Sequence, residues 1–226
     1  MEGMIQIILN IIILAPPIMI AIILHEVAHG WVANRLGDPT ARNAGRLTLN
    51  PIPHIDLFGT VLLPLTMYLM THNNPSGPLI FGYAKPVPIN PAYFRDPRKG
   101  LALSSVAGPG VNVIMALACA FIFHAGLPVL SWILPKSLMV IAQMMLAYGV
   151  VINVVLAVLN MIPIPPLDGS RVVLWLLPPR QAMAYNQLER YGMFILLALF
   201  ATGALNWIVH PLVRPLIRLL LGDLMS

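Results

Sequence analysis

Residues 17–36 read PIMIAIILHEVAHGWVANRL, an apolar run broken near its middle by His25-Glu26-Val27-Ala28-His29. About 20 residues of helix extend roughly 30 Å, enough to cross the hydrocarbon core of a bilayer. Within a helix, residues i and i+4 share a face, so both imidazoles reach one ion. Glu26 lies about 100° round the same helix, near enough to act on a water without ligating the metal. Ionisable groups inside a membrane span are costly and mark function. The stretch sets two expectations: lipid as solvent, and a metal-dependent site.

Composition supports the first. Hydrophobic residues make up 58% of the 226 and charged residues 9%, with a mean hydropathy of +0.83. Soluble domains carry roughly 25% charged residues, and so few charges cannot cover a water-facing surface. The length suits a single integral membrane domain over residues 1–226: an all-α polytopic bundle of about 4–6 transmembrane helices. The net charge of +5 comes from basic residues set between apolar segments, which orient a membrane protein. No basic stripe with aromatic platforms exists, which excludes nucleic acid as a partner. Cys119 is the one cysteine, so no intrachain disulfide forms, and a thiol in an apolar helix is ordinarily inert. The N-terminal run has Glu2 and no basic n-region, so it reads as a retained anchor rather than a removed signal peptide.

The first apolar stretch runs from Met4 to Leu36 and is interrupted by Pro16 and Pro17. GRLTLNP (45–51) alternates like a short strand, and the prolines of FGYAKPVPINP (81–91) permit an edge strand or an extended segment. The two predict a small β-hairpin near the site. It would either cover the site or offer an edge to which an extended peptide could add. Asp56 to Met70 is apolar but only about 15 residues long, which predicts a re-entrant segment, with a turn at 71–78. Leu101 to His124, Leu138 to Ile162 and Tyr191 to Val209 read as spans. The tail from His210 spaces Arg214 and Arg218 four apart, as a helix lying along the interface would.

Arg35, Arg42, Arg46, Lys85, Arg95, Arg98, Lys99, Arg171, Arg180 and Arg190 all fall on one side if 56–70 dips in and returns. Lys136, Arg214 and Arg218 fall on the other. The positive-inside rule makes the first side cytoplasmic.

A catalytic zinc site ordinarily has three protein ligands and an open position. Asp168, Asp56, His54, His124 and Glu189 are candidates for the third. Asp168 is the best placed: PIPP ahead of it forces non-helical backbone after the span, and Gly169 allows a sharp turn that aims the carboxylate inward. Its alternative role is as N-cap of a helix starting at Ser170. A metal transporter or a non-catalytic membrane scaffold are the competing functions, but a transport path spreads its polar groups along the membrane.

HEVAHG (25–30), AGPGVN (107–112) and NMIPIPPLDG (160–169) resemble the HExxH, GPxxN and NxxPxPxxDG signatures of the site-2 protease family of intramembrane zinc metalloproteases. LGDPTARNAGRLTLNP and FGYAKPVPINP look like a compact prokaryotic branch without a PDZ domain. The resemblance implies one Zn²⁺ per chain held by His25, His29 and Asp168, with Glu26 as general base. It implies that Asn160 helps hold the scissile peptide or its oxyanion, that Asn112 supports packing, and that Gly108 and Gly110 let helices approach closely. It further implies transmembrane protein substrates, and a multi-pass protein of a prokaryotic cell membrane with its site toward the cytoplasm.

Overall fold

The computed structural model describes residues 2–71 and 82–222. Its helices, in order, are α1 (Glu2–Arg35), α2 (Thr40–Asn43), α3 (Leu63–Thr71), α4 (Pro97–Phe121), α5 (Leu127–Leu130), α6 (Lys136–Asn160), α7 (Gly169–Leu176), α8 (Pro179–Asn186), α9 (Glu189–Ala201) and α10 (Ala204–Leu221). Four helical runs are long and apolar enough to cross a membrane: Ile12–Arg35, Pro97–Leu130, Lys136–Asn160 and Ala204–Leu221. Large apolar side chains cover the outside, with Trp132 89% and Trp207 86% exposed, the arrangement of a surface whose solvent is lipid.

Small residues bring the spans together. Gly100, Ser104, Gly108, Asn112, Ala116 and Ala120 recur every fourth position of α4, and all are buried. Gly149, Asn153 and Ala157 repeat the spacing on α6. In lipid there is no hydrophobic drive between helices, so close backbone approach through small side chains supplies the packing. Ala116, Ala120, Val150 and Val154 form one core with Val213 and Leu221 of α10.

Several expectations are corrected. No strand occurs among the described residues, so the β-hairpin is absent there. Pro86 and Pro88 have no N–H to give a ladder, and the groups around them find separate partners. Lys85 N–H donates to the His54 carbonyl at 2.9 Å, and Tyr83 N–H to that of Gly59 at 3.0 Å. Arg46 Nη2 donates to the Lys85 carbonyl at 2.6 Å, and Asn90 N–H to the Asp38 carboxylate at 2.7 Å. The re-entrant form expected of 56–70 is not supported within the stretch itself, which is one helix: a π-helical start, Leu57–Leu62, capped by Asp56, continues into α3. Tyr83 then meets Gly59 at its start, which keeps both flanks of the stretch at one end of the bundle. The turn expected at 71–78 lies, beyond Thr71, outside the described residues.

Pro16 and Pro17 do not interrupt α1; bundle neighbours and local adjustment let membrane helices absorb proline. The expected span Tyr191 to Val209 is instead two helices. α9 stops at Ala201, and Gly203 adopts a left-handed φ of 74° that ends one helix and begins the next. The tail from His210 accordingly belongs to a packed helix, α10, rather than to an interfacial one.

With four crossings, the loop after α1 and the stretch 161–203 share a side, opposite the α5–α6 turn. In a Cys119→Ser background, cysteines at Asn43 and Gln181 should be labelled by an impermeant thiol reagent from the same face. One at Ser131 should be labelled from the other. Labelling of Asn43 and Gln181 from opposite faces would contradict the four-span arrangement.

Candidate metal centre

His25 and His29 sit one turn apart on the buried face of α1, 7% exposed each. Their Nε2 atoms are 2.9 Å apart. Asp168 Oδ2 lies 3.2 Å from His25 Nε2 and 3.3 Å from His29 Nε2. These three are the described cluster of side chains able to hold a metal ion.

Hydrogen bonds assign the ring protons. His29 Nδ1 faces the Ser104 carbonyl at 2.8 Å, which can only accept, so Nδ1 carries the proton. His25 Nδ1 likewise faces Asn112 Oδ1 at 2.5 Å. A metal-binding imidazole is neutral and carries one proton; with that proton on Nδ1 in both rings, both Nε2 atoms offer lone pairs to an ion. Their 2.9 Å approach is then not a hydrogen bond, and Asp168 Oδ2 is buried without a donor. Two lone pairs and a carboxylate oxygen converging in an apolar interior repel unless a cation lies between them. Tetrahedral zinc with bonds of about 2.0–2.1 Å places its ligands roughly 3.3 Å apart; the two separations to Asp168 match this at 3.2 and 3.3 Å, and the histidine pair is closer at 2.9 Å. The residues present therefore fit a zinc ion.

Two backbone features make the convergence possible. A Cβ on Gly108 would stand 2.5 Å from His29 Nε2 and 2.7 Å from His25 Cε1. Only glycine lets α4 pass this close to both rings. Asp168 arrives on the turn 161–168, whose course is set by contacts on both sides. A Cβ on Gly169 would meet the Met161 carbonyl carbon at 2.6 Å, and one on Gly192 of α9 would meet that of Pro165 at 2.6 Å. Ile162 and Leu167 bury with Leu196, and Tyr185 donates its hydroxyl to the Pro163 carbonyl at 2.7 Å. Burial pushes the Tyr185 phenol above its usual range, against the opposing charge of Arg171, so the donor persists at neutral pH. Asp168 occupies the N-cap position of α7 but makes no side-chain cap bond; its carboxylate is turned to the histidines instead.

The other third-ligand candidates are engaged elsewhere. Asp56 accepts from Gly59 N–H at 2.7 Å, and His54 Nε2 meets the Thr48 carbonyl at 3.0 Å. His124 Nε2 meets the Leu220 carbonyl at 2.8 Å, and Glu189 pairs with Arg171. Glu26 is half-buried, and its Oε2 accepts from Val87 N–H at 2.8 Å. Asn160 ends α6, where its amide donates to the Leu156 carbonyl at 3.0 Å; it is not drawn into the histidine cluster. Asn112 proves more than packing, since it holds His25 directly. Asn153, not singled out in the sequence, holds Asn112 at 2.7 Å. Its signal was available: a lone amide within the apolar run VVINVVL.

A family model described as peptidase family M50 matches residues 129–202, a stretch containing Asn160 and Asp168. The Bacillus subtilis (strain 168) protein named "Putative zinc metalloprotease YwhC" is 34% identical over 201 residues, which cover 87% of this chain and 84% of that one. This chain belongs to peptidase family M50. Two proteins named "Putative zinc metalloprotease Rip2", from Mycolicibacterium smegmatis and Mycobacterium tuberculosis, are 26% and 24% identical over 188 residues. The matched region is 83% of this chain and 66% of each. No solved structure is a significant match. The family membership bears out the resemblance to site-2 proteases carried by the three motifs, and the four long apolar helices make this M50 member a multi-pass membrane protein.

The Gly108 contacts yield a direct test. Gly108→Ala should fold with normal helix content by circular dichroism, because only ring tips oppose the new methyl. Its zinc content by elemental analysis should fall at least several-fold. Full zinc content in that variant would show that the rings do not need this clearance.

Proposed function

We propose that this protein is an intramembrane zinc metalloprotease that hydrolyses peptide bonds within or near transmembrane segments of other membrane proteins. The observation that carries the reading is the meeting of His25 Nε2, His29 Nε2 and Asp168 Oδ2 within 3.3 Å, with Glu26 on the same helix. The names of the M50 relatives support zinc as the ion, one per chain.

Zinc bound there would polarise the scissile carbonyl and lower the pKa of a water toward about 7. Glu26 then acts as general base. With Oε2 held by Val87 N–H, Oε1 accepts the proton of the attacking water and returns it to the leaving nitrogen. Asn160 stands at the exit of α6, where the Asp168 turn begins. Released from the Leu156 carbonyl, its amide would donate to the scissile peptide or its oxyanion. The substrate segment must unwind before cleavage, because helical peptide groups are engaged in their own hydrogen bonds.

Sidedness follows from charge. The ten basic residues at 35, 42, 46, 85, 95, 98, 99, 171, 180 and 190 lie at the end of the bundle where α1 finishes and Asp168 sits. Loops rich in Lys and Arg stay cytoplasmic, so the site faces the cytoplasmic side of the cell membrane. His29 is six residues before the end of α1, about 9 Å along the helix at 1.5 Å per residue. Water therefore has a short path to it.

Glu26→Gln preserves side-chain shape but cannot accept the proton. The purified variant should keep one zinc per chain while cleavage of a model transmembrane substrate falls about 100-fold or more. Cleavage at close to the wild-type rate would refute the assignment. Asp168→Ala should lose zinc as well as activity; undiminished zinc would remove Asp168 from the ligand set.

A further inference from the structure

Two side-chain amides and the backbone carbonyls they donate to form a chain behind the metal centre, with its direction fixed at each link. Asn153 Nδ2 donates to the Gly149 carbonyl at 2.8 Å. A carbonyl can only accept, so Asn153 must point its Oδ1 the other way, toward Asn112. Asn112 Nδ2 donates to that Oδ1 at 2.7 Å and to the Ala21 carbonyl at 3.3 Å. Asn112 is thereby left with Oδ1 alone to offer His25 Nδ1. Both asparagines are essentially inaccessible, Asn112 at 0% and Asn153 at 2%, so no solvent competes for these bonds. A flipped Asn112 would set an N–H against His25 Nδ1, and the ring would then have to carry its proton on Nε2, the atom turned toward Asp168.

We propose that Asn153 is a positioning residue for the metal centre: by orienting the Asn112 amide it holds the His25 proton on Nδ1 and keeps Nε2 free to bind the ion. His29 needs no such device, because the Ser104 carbonyl faces its Nδ1 directly. The two ligand histidines are thus set by different means, one by backbone and one by a relay of side chains reaching from α6 through α4 to α1. The inference rests on the zinc reading above and adds a residue from a third helix to it. Outer partners of metal-bound histidines typically change metal affinity by about 10–100-fold.

The test follows zinc release from purified, zinc-loaded protein to a chromogenic chelator. Asn153→Leu removes both amide groups at similar volume, with Asn153→Ala in its place where the leucine protein is not monodisperse. Either should release zinc about 10–100-fold faster than wild type. The decisive comparison is Asn112→Asp combined with Asn153→Leu. A carboxylate presents an acceptor oxygen to His25 whichever way it is turned, so Asn153 becomes dispensable and slow release should return toward wild type. Wild-type release from the Asn153 single variants overturns the proposal. So does a double variant that releases zinc as fast as Asn153→Leu, since the residue would then act through packing alone. Wild-type protein without tightly held zinc would defeat the metal reading itself, and this relay with it.

Discussion

The structure depends on placing two imidazoles inside an apolar bundle with every ring nitrogen accounted for. A buried N–H left unpaired costs about 1–3 kcal/mol, and lipid supplies no water to relieve it. Each Nδ1 therefore needs an acceptor from a neighbouring helix, and α4 provides both, through Ser104 and Asn112. That need accounts for the small-residue stripe of α4. Helices held apart by large side chains could not bring a backbone carbonyl within 2.8 Å of a ring on α1. Packing and site chemistry are one requirement here, met by Gly100, Ser104, Gly108 and Asn112 at four-residue spacing.

The carboxylate is delivered differently. The turn 161–168 carries no regular hydrogen-bond ladder, so its shape comes from contacts at either end. Gly169 rests against the end of α6 and Gly192 of α9 against Pro165, while Ile162 and Leu167 anchor beneath them. A carboxylate on such a turn is only as well placed as the helices that clasp it. This explains why α9 stops short of spanning: it serves as a wall for the turn, and the left-handed Gly203 lets α10 start anew and reach the α4–α6 core.

Much of this was legible in the sequence. Spacing alone put His25 and His29 on one face, and the proline run ahead of Asp168 announced non-helical backbone that could redirect a carboxylate. The segments that misled were those whose local pattern was overruled by neighbours. GRLTLNP alternates like a strand, yet its prospective partner carries prolines and gives its remaining groups to Arg46, His54, Asp38 and Glu26. Tyr191 to Val209 is apolar enough for a span, but one glycine in a left-handed conformation outweighs hydropathy. The amphipathic look of Arg214 and Arg218 gave no hint that Val213 and Leu221 would be buried. Asn153 escaped notice because a single amide has no periodicity; its partner lies 41 residues away on another helix.

The three converging side chains come from positions 25, 29 and 168, so their meeting has a place in time as well as in space. During synthesis α1 enters the bilayer with both histidines, yet the third group does not exist until α6 has been inserted and residues 161–168 have folded back toward it. A nascent chain paused before that point holds two of the three groups. The three groups can meet only once residues 161–168 and the helix that clasps them, α9, have been made. The order of residues along the chain thus makes the carboxylate the last of the three groups to arrive.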